Sequence, residues 1–254
     1  FLVFKNSSTK GAISFNNAGK YQNNKKITDK IFIKDMDADG RLDIIAYSKS
    51  TLEYSIYLNN SPQLFFPIVF NSGIFFSINN YNNDKIINPT YNTVDLTIDD
   101  LNADGKPDIA AVASIAPPGE KANNTEVIYV TQNLSTPNNI NMFYMNRIVI
   151  PGQYIYDSRY ISIAQIDNSS LPGIVIHNVV YSSNFPRIII HSFKNNTFQP
   201  GGFILPKYNN SVYLNVSTIS TRFMMADVDG DALSDIICYG STPYFPKFKD
   251  IGIS

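Results

Sequence analysis

The stretch Asp35-Met36-Asp37-Ala38-Asp39-Gly40-Arg41-Leu42-Asp43 crowds four carboxylates into nine residues. Like charges at this density repel, so a cation or bound protons must offset the cost. Oxygen at alternate positions is what a hard cation of calcium's size requires, with six to eight oxygens at about 2.3–2.6 Å. The side chains of positions 1, 3 and 5 (Asp35, Asp37, Asp39) can turn toward one point, and position 9 (Asp43) closes the shell. Position 7 supplies a backbone carbonyl, which leaves its side chain, Arg41, free to vary. Position 6 is Gly40, where a sharp turn favours glycine. A twelve-residue EF-hand loop closed by glutamate does not fit, because position 12 is Ala46. Magnesium prefers fewer protein ligands, and zinc prefers His and Cys, of which the chain has two and one.

The pattern recurs. Asp100-Leu101-Asn102-Ala103-Asp104-Gly105-Lys106-Pro107-Asp108 is a second copy, with ligand candidates Asp100, Asn102, Asp104 and Asp108 and the carbonyl of Lys106. A further copy at 227–235 offers Asp227, Asp229, Asp231 and Asp235 and the carbonyl of Leu233. Between them, residues 165–173 form a worn copy with Gln165, Asp167, Ser169 and Gly173 at the ligand positions. It keeps one charge and has no side chain at position 9, so about three ions are expected, with the third loop empty. In the fourth loop Gly230 stands at position 4 and Ala232 at position 6, which predicts a somewhat weaker site.

The loops start at residues 35, 100, 165 and 227, which is a repeat of about 63 residues. Each is preceded by a β-rich segment (31–33, 94–98, 160–163, 223–225) and runs into an apolar one (44–47, 109–112, 174–176, 236–239). Each loop is therefore the tip of a β-hairpin. Further strands are expected at 54–58, 127–130 and 188–190, and the opening residues FLVFKNSS resemble the third of these. No helical period runs for a useful length. Regular short strands in a repeat of this size predict an all-β chain built of about four propeller blades across residues 1–254. A β-sandwich would account for the strands but gives no reason for the repeat.

D-x-D-x-D-G-x-x-D between two strands, repeated at this spacing, resembles the FG-GAP repeat of integrin α-subunit β-propellers and of related secreted proteins, some of them lectins. The resemblance covers four units, nearly the whole chain. It implies calcium-binding loops on one face of a propeller, with partners bound elsewhere. It also implies a seven-bladed ring, of which this chain is expected to be an arc. The alternative is a closed four-bladed ring whose last blade is completed by residues 1–16.

Composition narrows the function. A formal net charge of −1 argues against nucleic acid as partner, since phosphate binding needs a basic face. No apolar run reaches 18 residues, so no transmembrane span is expected. The chain opens at Phe1 without a signal peptide, as a processed product or a fragment does. Lone Cys238 forms no internal disulfide. Asn-x-Ser/Thr acceptors at Asn6, Asn59, Asn123, Asn133, Asn168, Asn195, Asn209 and Asn215 fit a secreted or cell-surface glycoprotein.

No Ser, His and Asp fall in a catalytic pattern, and His177 and His191 read as structural. Residues 116–124 read as an exposed connector, and aromatics such as those at 244–248 read chiefly as core. The expected function is thus a non-catalytic, calcium-stabilised extracellular propeller that mediates adhesion or assembly through a protein partner, with a place in a larger assembly. A glycan-binding propeller and an accessory domain of a secreted enzyme are the alternatives.

Overall fold

Each apolar segment that flanks an acidic loop is realised as a β-strand, and the pairings are antiparallel. The computed structural model describes residues 2–20, 28–61, 69–78, 95–115, 125–149, 158–166, 171–181, 186–194, 198–199, 202–203, 207–215 and 221–240. The connector at 116–124, positions 167–170 of the worn loop, the aromatics at 244–248 and acceptors Asn123, Asn168 and Asn195 lie outside this set.

β1 (Leu2–Asn6) and β2 (Phe15–Lys20) form a two-stranded sheet. β3 (Lys30–Lys34), β4 (Asp43–Ser48), β5 (Glu53–Tyr57) and β6 (Ile74–Ser77) follow one another in a four-stranded sheet. So do β7 (Asp95–Asp99), β8 (Asp108–Ile115), β9 (Thr125–Asn133) and β10 (Met142–Val149). A third four-stranded sheet joins β11 (Ser158–Ala164), β12 (Gly173–Tyr181), β13 (Pro186–Lys194) and β16 (Lys207–Asn215), with the short pair β14 (Phe198–Gln199) and β15 (Gly202–Phe203) before its last strand. β17 (Thr221–Ala226) and β18 (Asp235–Gly240) form a final pair. The protein is all-β, with no α-helix among the described residues and none long and apolar enough to cross a membrane.

The loop hairpins share one register. The residue before position 1 pairs with position 9 in every copy: Lys34 with Asp43, Asp99 with Asp108, Ala164 with Gly173, and Ala226 with Asp235. The worn third copy keeps this hairpin although its ligand side chains have gone. His177 and His191 occupy β12 and β13, opposite Ile190 and Ile176.

The chain divides into two compact units, residues 1–84 with 133–143, and residues 85–132 with 144–254. In the second unit, Ala110, Val112, Ile128 and Val130 of one sheet, with Leu101 of its acidic loop, pack on Ile161, Ile174 and Ile176 of the next. Val175 and Ala164, on the opposite face of that sheet, pack with Ile166, Met225 and Ile236. Alternate residues of β12 thus enter two different cores, which is why Ile174-Val175-Ile176 is apolar throughout instead of alternating. In the first unit, Val3 and Phe70 pack on Ile44, Ala46 and Tyr57.

Ile31 and Ile33 precede the first loop by the same spacing as Ile161 and Ile163 precede the third. Ile161 is 4 % exposed, whereas Ile31 and Ile33 are 49 % and 60 % exposed. One position of the repeat therefore carries very different energies. Ile161→Ala should destabilise by about 2–4 kcal/mol through the cavity it leaves. Ile31→Ala, at the matching position, should shift stability by no more than about 0.5 kcal/mol. Urea unfolding of the two variants checks the contrast, and equal losses would show that the buried face at Ile161 is not a core.

Candidate metal centre

The first acidic loop is folded by its own carboxylates. Asp35 accepts the N–H of Asp39 on Oδ1 at 3.2 Å and that of Gly40 on Oδ2 at 2.8 Å. Asp43 accepts the N–H of Met36 on Oδ2 and that of Asn59 on Oδ1, both at 2.8 Å. Asp39 accepts the Arg41 N–H at 2.8 Å and is also ion-paired to the Arg41 guanidinium. Met36, at position 2, is fully buried beneath the loop.

The wiring repeats. In the second loop Asp108 accepts the Leu101 N–H at 3.1 Å, Asp100 accepts those of Asp104 and Gly105 at 3.2 and 2.8 Å, and Asp104 accepts that of Lys106 at 2.9 Å. In the fourth, Asp235 accepts the Val228 N–H at 3.0 Å, Asp227 accepts those of Gly230 and Ala232 at 2.7 and 3.0 Å, and Asp231 accepts that of Leu233 at 2.8 Å. Acidic residues at these spacings are thus first of all acceptors for a tight turn's backbone donors, which few other groups could satisfy.

Two positions of each loop are left-handed. Position 6 has φ of 83° at Gly40, 83° at Gly105 and 68° at Ala232, and position 4 has φ of 58° at Ala38, 57° at Ala103 and 85° at Gly230. A non-glycine there costs about 1–2 kcal/mol. Every described loop has one glycine and one alanine in these two places, so the fourth loop exchanges them at no net cost. The weakness expected there from Ala232 is matched by Ala38 and Ala103 elsewhere.

Three Asn-x-Ser triplets have a role that the sequence reading missed. Asn6 and Asn133 end the third strand of their repeats and Asn59 lies just beyond it, and each side-chain Oδ1 accepts the N–H two residues on, at 2.9, 3.0 and 3.0 Å. The serine hydroxyl oxygen then accepts an N–H from the returning strand: Ser8 from Ser14, Ser61 from Val69, and Ser135 from Asn141, at 2.8, 2.9 and 2.9 Å. The triplet clasps a hairpin. Asn133 is fully buried and donates its Nδ2–H to the Met36 carbonyl at 2.8 Å, so it has no amide to offer a glycan in the folded chain. The recurrence of these triplets at one strand end was the available signal.

The donors fit a calcium-sized dication. Carboxylate oxygens of Asp35, Asp37 and Asp39 lie within 4.8 Å of one another, as do those of Asp227, Asp229 and Asp231. Asp37 is 1 % exposed, and its Oδ1 is buried without a hydrogen-bond partner, while Oδ2 accepts the Asn138 N–H at 2.6 Å. A buried charged acceptor left unmatched is costly, and a cation would match it. In the second loop Asn102 accepts the Asp104 N–H at 2.9 Å on Oδ1 and donates to the Asp104 carboxylate at 3.0 Å, so its amide already neutralises part of the site. The fourth loop is exposed at all four of its aspartates.

Burial pushes the Asp43 carboxyl up to about 6, with the charges of Asp37 and Asp35 adding to the rise and the Asn59 and Met36 N–H groups opposing it. The proton that Asp43 holds in the folded, cation-free chain is lost in the unfolded chain above its ordinary value of 3.8. Its contribution is therefore complete below about pH 4 and vanishes as pH rises through about 6, an effect of order 3 kcal/mol. In chelator, the stability difference between wild type and Asp43→Asn should move in the variant's favour between pH 4 and 7. Chemical denaturation across that range measures it, and a difference independent of pH would refute the buried-proton account.

No family model, no curated protein and no solved structure matches this chain.

Proposed function

We propose that the chain is a non-catalytic, calcium-stabilised extracellular β-propeller, or an arc of one, that serves adhesion or assembly through protein contacts. The single observation that carries the calcium reading is the buried, unmatched Oδ1 of Asp37 inside a cluster of three carboxylates. Asp35, Asp37, Asp39 and Asp43 would hold the first ion together with the Arg41 carbonyl. Asp100, Asn102, Asp104, Asp108 and the Lys106 carbonyl would hold the second. Asp227, Asp229, Asp231, Asp235 and the Leu233 carbonyl would hold the third. The ion supplies charge neutralisation for crowded carboxylates and no chemistry on a substrate.

Three four-stranded antiparallel sheets, of which β8–β9 and β11–β12 of the second unit pack their apolar residues together, support blades of the FG-GAP kind. The Nδ2 groups of buried Asn133 and of Asn59, given to the Met36 and Leu42 carbonyls, remove part of the glycosylation argument for an extracellular setting. A calcium affinity of about 10⁻⁴–10⁻³ M would support that setting, since sites on extracellular modules work in this range. Exposed Ile31, Ile33 and Leu42 on one hairpin offer apolar area suited to a protein surface.

Thermal unfolding with millimolar calcium and with chelator tests the reading. A site filled at a hundredfold excess over its dissociation constant should add about 2.7 kcal/mol. Native mass spectrometry should count three ions, and an unchanged melting temperature with no bound ion refutes the proposal. A glycan array in calcium separates the protein-contact role from its rival, because selective binding to one class of sugar would make the chain a lectin.

A further inference from the structure

We infer that the hairpin at Asn133–Phe143 is a positioning element for the first acidic loop, so that an ion there clips this hairpin to the loop. The inference rests on the calcium reading above and adds to it a coupling between chain segments about a hundred residues apart. Two hydrogen bonds carry it, across separations of 97 and 101 residues: Asn133 Nδ2 donates to the Met36 carbonyl at 2.8 Å, and the Asn138 N–H donates to Asp37 Oδ2 at 2.6 Å. Both acceptors are buried, at positions 2 and 3 of the loop.

The hairpin is shaped for this contact. Asn133 and Ser135 clasp its base. Thr136 and Asn139 exchange backbone hydrogen bonds around Pro137 and Asn138, and Asn138 has φ of 62°. That is the arrangement of a type II turn, with proline second and asparagine third. Such a turn leaves its third N–H outside the turn's own hydrogen bonds, and here it is given to Asp37.

The contact changes the ligand. In the second and fourth loops, the position 3 side chain accepts the N–H of position 5 within its own loop: Asn102 from Asp104 at 2.9 Å and Asp229 from Asp231 at 3.1 Å. In the first loop the Asp39 N–H goes to Asp35, a bond that Asp104 also makes to Asp100, but it is Asn138 and not Asp39 that donates to Asp37. One Asp37 oxygen is thereby fixed by a donor from the hairpin, and the other is buried with no partner. A carboxylate held this way is oriented before an ion arrives, which lowers the cost of ordering it. By linkage, whatever the hairpin adds to ion affinity at the first loop, the ion returns to the docking of the hairpin. Asn133 and Asn138 touch no ion in this scheme, and they act through Met36 and Asp37.

The test uses the full chain carrying Asp108→Ala and Asp235→Ala, which leaves the first loop as the intact site. Calcium titration calorimetry of this chain, with and without Asn133→Ala, should show affinity falling about tenfold with the added change. In the wild type, hydrogen exchange of the Asn138 amide should slow at least tenfold in calcium relative to chelator, a readout that needs no variant to fold. Calcium binding of equal affinity in both chains, with Asn138 exchange indifferent to calcium, would overturn the coupling and leave the calcium reading intact. No binding to the first loop in either chain would overturn both.

Discussion

In every described acidic loop the carboxylate at position 9 accepts the N–H of position 2, and the carboxylate at position 1 accepts that of position 6. These bonds are charge-assisted and worth more than neutral ones. They fix a sharp, doubly left-handed turn without any cation, at the expense of bringing four anionic or amide oxygens together. Shape and charge are thus in conflict. Hydrogen bonding draws the carboxylates inward and electrostatics pushes them apart. The Asp39–Arg41 ion pair and the Asn102–Asp104 bond are two local ways of relieving the same repulsion, and the Asp43 carboxyl, raised first by burial, is raised further by it.

That turn sets the rest of each repeat. With position 9 as the first residue of the following strand, the register of the hairpin is determined, and a slip by one residue would send every apolar side chain to the opposite face. In the second unit the faces so defined enclose two cores, one on each side of the β11–β12 sheet. The position 9 carboxylate then extends the order outward, because Asp43 also takes the N–H of Asn59 just beyond the third strand. Asn59 itself starts the clasp that closes the outer hairpin. One aspartate therefore links the loop, the strand pair and the clasp.

The sequence makes some of this legible and hides the rest for identifiable reasons. Strands and loop tips can be read because carboxylate spacing and apolar runs are local signals. The left-handed backbone at position 4 was hidden, since Ala38 and Ala103 carry no turn signature, and only the glycine at 230 hints at it. The Asn-x-Ser clasp was visible as a motif but invited another meaning, because a glycan acceptor and a turn that uses the same amide look alike in sequence. The carbonyl role of position 7 leaves the side-chain type there open, and nothing in the spacing shows that the Arg41 guanidinium folds back on Asp39. The contact between Asn138 and Asp37 has no local signature at all. It joins residues 101 positions apart through a backbone N–H that any residue other than proline would supply.

Ligand identity alone does not rank the loops. The first and fourth each present four aspartates, and they share the bonds from position 2 to position 9 and from position 6 to position 1, and the glycine–alanine balance. Their surroundings differ. Asp37 and Asp43 are each 1 % exposed, whereas all four aspartates of the fourth loop face solvent. Water screens and hydrates the exposed set, so its carboxylates tolerate one another and gain less from a cation. Burial strengthens both repulsion among the first loop's carboxylates and their attraction to a dication. The same burial of Asp37 and Asp43 that makes the first loop's carboxylates costly to one another would also strengthen their pull on any cation. Asymmetry between two sites of equal ligand count follows from what the fold places around them.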